Sequence, residues 1–74
     1  MYALIHCANN KPTIIKTASF LNMEYFLDEA RIYLSNYYAP HEYQWMLDHL
    51  KDNLVVSWIF SDSPTAQTFH IVEF

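Results

Sequence analysis

Apolar positions along the chain change their period twice, from alternation to helical spacing and back. Residues 2–8 form a short apolar run closed by Asn9-Asn10-Lys11-Pro12, and residues 13–18 follow with several β-branched side chains. Two such runs around a turn-forming tetrapeptide predict a β-hairpin. The turn holds no glycine, so one of the asparagines is expected to supply any positive φ.

From Met23 onward the spacing is helical. Met23, Phe26, Leu27, Ala30, Leu34 and Tyr37 recur on one face, while Glu24, Asp28, Arg31 and Ser35 mark the wet face. Asn22 stands where an N-cap is needed, and Glu24 lies in the first turn, where the helix dipole favours a negative charge. The predicted helix covers residues 23–37. Pro40 interrupts the pattern and suits the first turn of a second helix. Its apolar stripe is Tyr43, Met46, Leu47 and Leu50, with Gln44, Asp48, Lys51 and Asp52 toward water and Asn53 as the left-handed stop. The link between the helices is short, which predicts an αα-hairpin.

Residues 54–60 read as a well-buried strand, 61–65 as a turn and 67–74 as a last strand. In that strand Phe69 and Ile71 share one face, and His70, Val72 and Phe74 the other. The expected architecture is therefore α+β, in the order ββααββ. Two β-hairpins flank an αα-hairpin, giving one domain over residues 1–74 with a four-stranded antiparallel sheet and both helices on one face. The pattern does not specify strand order.

Composition narrows the reading. A chain of 74 residues is near the lower limit for a self-sufficient core. Ordering costs roughly 1.5 kcal/mol per residue, to be offset by burial at about 25 cal/mol per Å². Cys7 is the only cysteine, so no disulfide forms within the chain, and a content of 53% hydrophobic and 18% aromatic residues must supply the core instead. Self-association is the other route to stability for a chain this small. The lone thiol fits a reducing compartment. The first residues show no secretory pattern, and no run reaches the roughly 20 apolar residues of a membrane span. A cytoplasmic protein without membrane association is the expectation.

Charge and glycine content exclude more. Residues 21–53 hold Glu24, Asp28, Glu29, Glu42, Asp48 and Asp52 against Arg31 and Lys51, within a net charge of −4 for the whole chain. Direct nucleic-acid binding needs clustered Lys and Arg to displace counterions, and no such cluster is present. The chain has no glycine at all. That removes every Gly-rich phosphate loop and dinucleotide fingerprint.

Candidate chemistry is sparse. His6 and Cys7 are adjacent in a strand and so point to opposite faces, which denies them a common site. His41, Trp45 and His49 line one stripe of the second helix, but the two histidines are about 12 Å apart along the axis, too far for one ion. His41-Glu42 also lacks the second histidine of a zinc-protease helix. No catalytic residue, metal ligand or cofactor is assigned.

Aromatic and acidic surface positions offer more. Trp45 lies off the apolar stripe of its helix, and Tyr33 and Tyr38 lie beside that of the first. Exposed Trp and Tyr dominate binding hot spots. Glu24 and Asp28 are like charges at i, i+4, which are mildly destabilising unless a cation satisfies them. Glu24, Asp28, Tyr33, Tyr38, Glu42 and Trp45 form the expected partner-binding set. The expected function is a non-enzymatic protein-binding module that occupies a surface of a larger partner. A phage or mobile-element inhibitor of host nucleic-acid-handling machinery is the type in view. One alternative is a structural homo-oligomer, such as a homodimer paired through the strand ending at Phe74. The other is a small enzyme or metal protein with a site between subunits, drawing on His6, Cys7, His41, His49 or His70.

Overall fold

A computed structural model describes residues 1–59 and 66–74. The elements are β1 (Tyr2–Ala8), β2 (Lys11–Ala18), α1 (Met23–Ser35), α2 (Pro40–Asn53), β3 (Val55–Trp58) and β4 (Gln67–Glu73). The expected turn at 61–65 lies outside the described residues.

Asn9 and Asn10 both take positive φ, 55° and 62°, and the ladder of β1 and β2 closes on the pair Ala8 and Lys11. Positive φ at both central residues defines a two-residue type I′ turn, whose twist matches that of the flanking strands. The turn is thus shorter than the expected tetrapeptide, and Lys11 and Pro12 belong to β2. Proline is tolerated there because β2 is an edge strand. Leu4 pairs with Lys16 and Ile5 with Ile14, which leaves Ile15 as the extra residue of a β-bulge. Ile15 packs against the core.

The sheet order is β2-β1-β4-β3. The two hairpins join through the first and last strands, in antiparallel register from Tyr2 opposite Glu73 to Ala8 opposite Gln67. This corrects one expectation. The strand ending at Phe74 is interior, so it has no free edge to offer a second copy, and the Phe74 amide already donates to the Met1 carbonyl at 2.9 Å. The edges are β2 and β3.

The inner face of the sheet carries Leu4, Val56, Trp58, Phe69 and Ile71. They bury against Phe26, Ala30 and Leu34 of α1 and against Tyr43, Met46, Leu47 and Leu50 of α2. Both helices cover this face. β3 spans only four residues and alternates, with Val56 and Trp58 buried and Val55 and Ser57 exposed. The strand expected to be buried throughout is therefore a half-exposed edge. On the uncovered face the registers align Ile14, Ile5, His70 and Val55 in one row across all four strands.

Helix ends differ from the pattern in two places. Asn22 caps α1 as expected, accepting from the Tyr25 amide at 3.1 Å. α1 stops at Ser35, however, and the amides of Tyr37 and Tyr38 both turn back to the Leu34 carbonyl. Tyr37 therefore leaves the apolar face and is 69% exposed, while Tyr33 and Tyr38 pack against the core. The periodicity expects the reverse: for Tyr37 and Tyr38 because the helix ends two residues before the pattern does, and for Tyr33 because His6 lies across from it.

In α2 the left-handed residue is Leu54, at φ 63°, and not Asn53. Asn53 stays helical and donates its side-chain amide to the His49 carbonyl. A branched side chain in the left-handed region costs about 1 kcal/mol relative to glycine. Leu54→Gly is expected to raise unfolding stability by about 0.5–1 kcal/mol, part of the gain being lost to glycine's freedom in the unfolded chain. A lower urea midpoint would show instead that the Leu54 side chain contributes more than its backbone conformation costs.

Candidate functional site

Strand alternation places His6 on the inner face beside Leu4, at only 9% exposure. Its Nδ1 lies 2.7 Å from the Tyr33 hydroxyl and its Nε2 lies 2.8 Å from Oε1 of Gln67. The amide oxygen can only accept, so Nε2 carries the proton, and in the neutral ring Nδ1 accepts from Tyr33. The imidazole is stacked on Trp58 with centroids 5.8 Å apart and planes within 6°. Tyr33 meets it edge-on at 5.0 Å, and Phe69 is tilted at 5.3 Å. Burial, followed by the nearby Tyr37 and Tyr38 phenols, pushes the Tyr33 phenol above its usual range.

A hollow of about 260 Å³ adjoins this cluster, with Tyr37, Tyr38 and Gln67 along its wall. The cluster has little chemical freedom. Both His6 nitrogens are occupied by the chain's own side chains, and Tyr33 is held in its protonated form. The arrangement ties α1 to β1 and β4 at one point, and it holds no free base or nucleophile. Trp58 adds one unusual atom, a buried indole N–H with no acceptor among the described residues. Cys7 is a free thiol, half-buried on the opposite face from His6, so the two residues do not meet. Among the described residues no group of His, Cys, Asp and Glu could hold a metal ion.

The partner-binding residues expected from the pattern are divided by the fold. Tyr33 is hydrogen-bonded to His6, and Tyr38 packs against the core. Glu42 is the N3 residue of α2, and its carboxylate accepts from the Ala39 amide at 2.8 Å, satisfying a helix-end donor. Glu24, Asp28 and Trp45 are exposed, the two acids on one surface and the indole on another. Glu24 and Asp28 line an open groove of about 520 Å³ between the helices, with Leu27 and Leu47 at its apolar base and Asp48, Arg31 and Lys51 on its walls. Asp28 is paired with Arg31 one turn on. Trp45 lies on another side of α2, where it lines a shallow hollow with Ser57, Trp58, Ile59 and Ala66. It is 50% exposed, and His41 and His49 are exposed on either side of it.

The His6 cluster was not visible in the residue pattern. Alternation with Tyr2 and Leu4 signals that His6 is inward, but its partners lie 27 and 61 residues away and nothing local points to them.

The fold and these surfaces define an α+β protein with one covered and one bare sheet face. No protein-family model, curated protein or solved structure matches the chain. Among the described residues no helix is long and apolar enough to cross a membrane.

Proposed function

We propose that the chain is a non-enzymatic protein-binding module that occupies a surface of a larger partner, with Trp45 as the main anchor. One observation carries this reading. α2 fills its core positions with Tyr43, Met46, Leu47 and Leu50, all buried, and still presents an indole half in water. Trp45 lies outside that buried set, and tryptophan is among the residues that concentrate binding energy when desolvated by a partner. The groove between the helices, with Glu24, Asp28 and Asp48 on its walls, offers a second, acidic surface that suits a partner rich in Lys and Arg, the charge that nucleic-acid-handling proteins carry. Covering such a surface would inhibit the partner by excluding its nucleic acid.

The test uses tagged wild-type chain, Trp45→Ala and the charge reversal Glu24→Lys/Asp28→Lys. Glu42 is left alone, since its loss would weaken α2 itself. Each protein is used to capture partners from native lysate, followed by mass spectrometry and a urea titration. Wild type should retain one stoichiometric partner. Trp45→Ala should weaken that complex by about 30-fold, as expected for a hot-spot residue, with its urea midpoint unchanged. Absence of any partner, or a partner indifferent to Trp45, overturns the proposal.

A further inference from the structure

The second surface of interest is the sheet face that the helices leave bare. Its central row is Ile14, Ile5, His70 and Val55, and Ala3 pairs with Val72 in the next row. Ile14 at the β2 edge is 62% exposed, Val55 at the β3 edge is also exposed, and Ile5 and Val72 are half-buried. The one histidine in the row turns a ring nitrogen onto its neighbour, Nε2 to the Thr68 hydroxyl at 3.1 Å, which lowers the cost of taking it out of water. Among the described residues no charged side chain occupies this face, Glu73 standing opposite Tyr2 on the helix-side parity. Lys16 pairs opposite Leu4 and Lys11 opposite Ala8, both on the helix-side parity, and the acids of residues 21–53 lie on the helices.

We infer that this face pairs with the same face of a second copy, giving a face-to-face sheet dimer with the helices outside. The argument for a second copy has three parts. A chain of net charge −4 repels itself wherever its charges meet. This face is where two copies touch with none. Two identical sheets also share one twist, the condition for aligned packing at about −30° with interdigitated side chains. Area is the third part. Strands of 7, 8, 4 and 7 residues, about 4.8 Å apart with a rise of about 3.3 Å per residue, give a footprint of roughly 400 Å² on each copy. Doubling this for two copies gives about 800 Å² before side-chain relief, the size of a weak, transient contact. A reversible, concentration-dependent dimer is the form such an area supports. Trp45 stays outside it, so the dimer would present two partner-binding surfaces facing away from each other.

Sedimentation equilibrium of the purified chain across the micromolar range tests this without any partner. Three proteins are compared: wild type, Ile14→Lys/Val55→Lys on the bare face, and Ile32→Lys on the exposed side of α1. Ile14, Val55 and Ile32 are all exposed, so the substitutions leave the core intact, and far-UV circular dichroism checks each fold. Wild type and Ile32→Lys should both show a monomer–dimer equilibrium. The bare-face variant should raise the dissociation constant by about 100-fold or more, because like charges then meet across the two-fold axis. A wild-type monomer at every concentration overturns the inference. So does a dimer unaffected by the bare-face lysines, or one weakened equally by Ile32→Lys.

Discussion

Phe69→Ala is expected to remove most of the protein's stability, moving its urea transition close to zero denaturant. Phe69 is 0% exposed and sits on β4, an interior strand. Its ring contacts Trp58 at 5.0 Å, His6 at 5.3 Å and Tyr33 at 5.9 Å between centroids. Truncating a buried phenylalanine costs about 3–5 kcal/mol, the upper values arising where the surroundings cannot collapse into the gap. Collapse is resisted here on every side. Trp58 and His6 are fixed to paired strands, and Tyr33 is tied to His6 by a hydrogen bond. A domain of this size has about 4–11 kcal/mol in total, so one residue accounts for a large share. Urea unfolding followed by circular dichroism measures the loss. A cost below about 1 kcal/mol would mean that the aromatic cluster repacks freely.

The second large effect concerns the buried imidazole. His6→Leu keeps much of the volume but leaves the Tyr33 hydroxyl and the Gln67 side-chain oxygen without their partner. Each stranded group costs about 1–3 kcal/mol, so a loss of about 2–4 kcal/mol is expected. Tyr33→Phe should cost about 1–2 kcal/mol, because Nδ1 then has no donor. The double variant is the informative one. With both partners of the His6–Tyr33 bond gone, only the Gln67 oxygen stays stranded, as in His6→Leu alone, and the cost should fall short of the sum of the singles by about 1 kcal/mol or more. Additive losses would show that the 2.7 Å contact contributes nothing of its own. Both single variants should leave partner capture through Trp45 unchanged wherever they remain folded, which separates the His6 cluster from the proposed binding surface.

The outward surface was legible in the residue pattern where the relevant rule is local. Trp45 falls off the stripe of Tyr43, Met46, Leu47 and Leu50, and it is exposed in the structure. Tyr33 and Tyr38 satisfy the same rule but are drawn inward. Their position depends on where α1 stops and on what lies across from it. The turn after Leu34 carries Tyr38 back over the core, and His6 on a strand supplies the partner for Tyr33. Glu42 shows a third case. It is acidic and near the surface, but its carboxylate is already engaged by the Ala39 amide, a role that a capping-box reading of positions 39–42 misses because alanine stands at the cap.

By itself the amino-acid sequence determined the order ββααββ, the positions of both helices, a turn that begins at Asn9 with asparagine at positive φ, and the division of β4 into two faces. All of these follow from short-range terms: side-chain period, the tolerance of asparagine for positive φ, and capping of free helix-end amides. Tertiary structure decided which strands are neighbours, where β1 and β4 meet across almost the whole chain length and make β2 and β3 the edges. It also decided the partners of His6, the exchange of Tyr33 and Tyr37 between inside and outside, and which sheet face stays bare. A local pattern specifies the face on which a side chain lies. The group that covers it arrives from elsewhere in the chain, chosen by the joint packing of elements whose pairing no local period encodes.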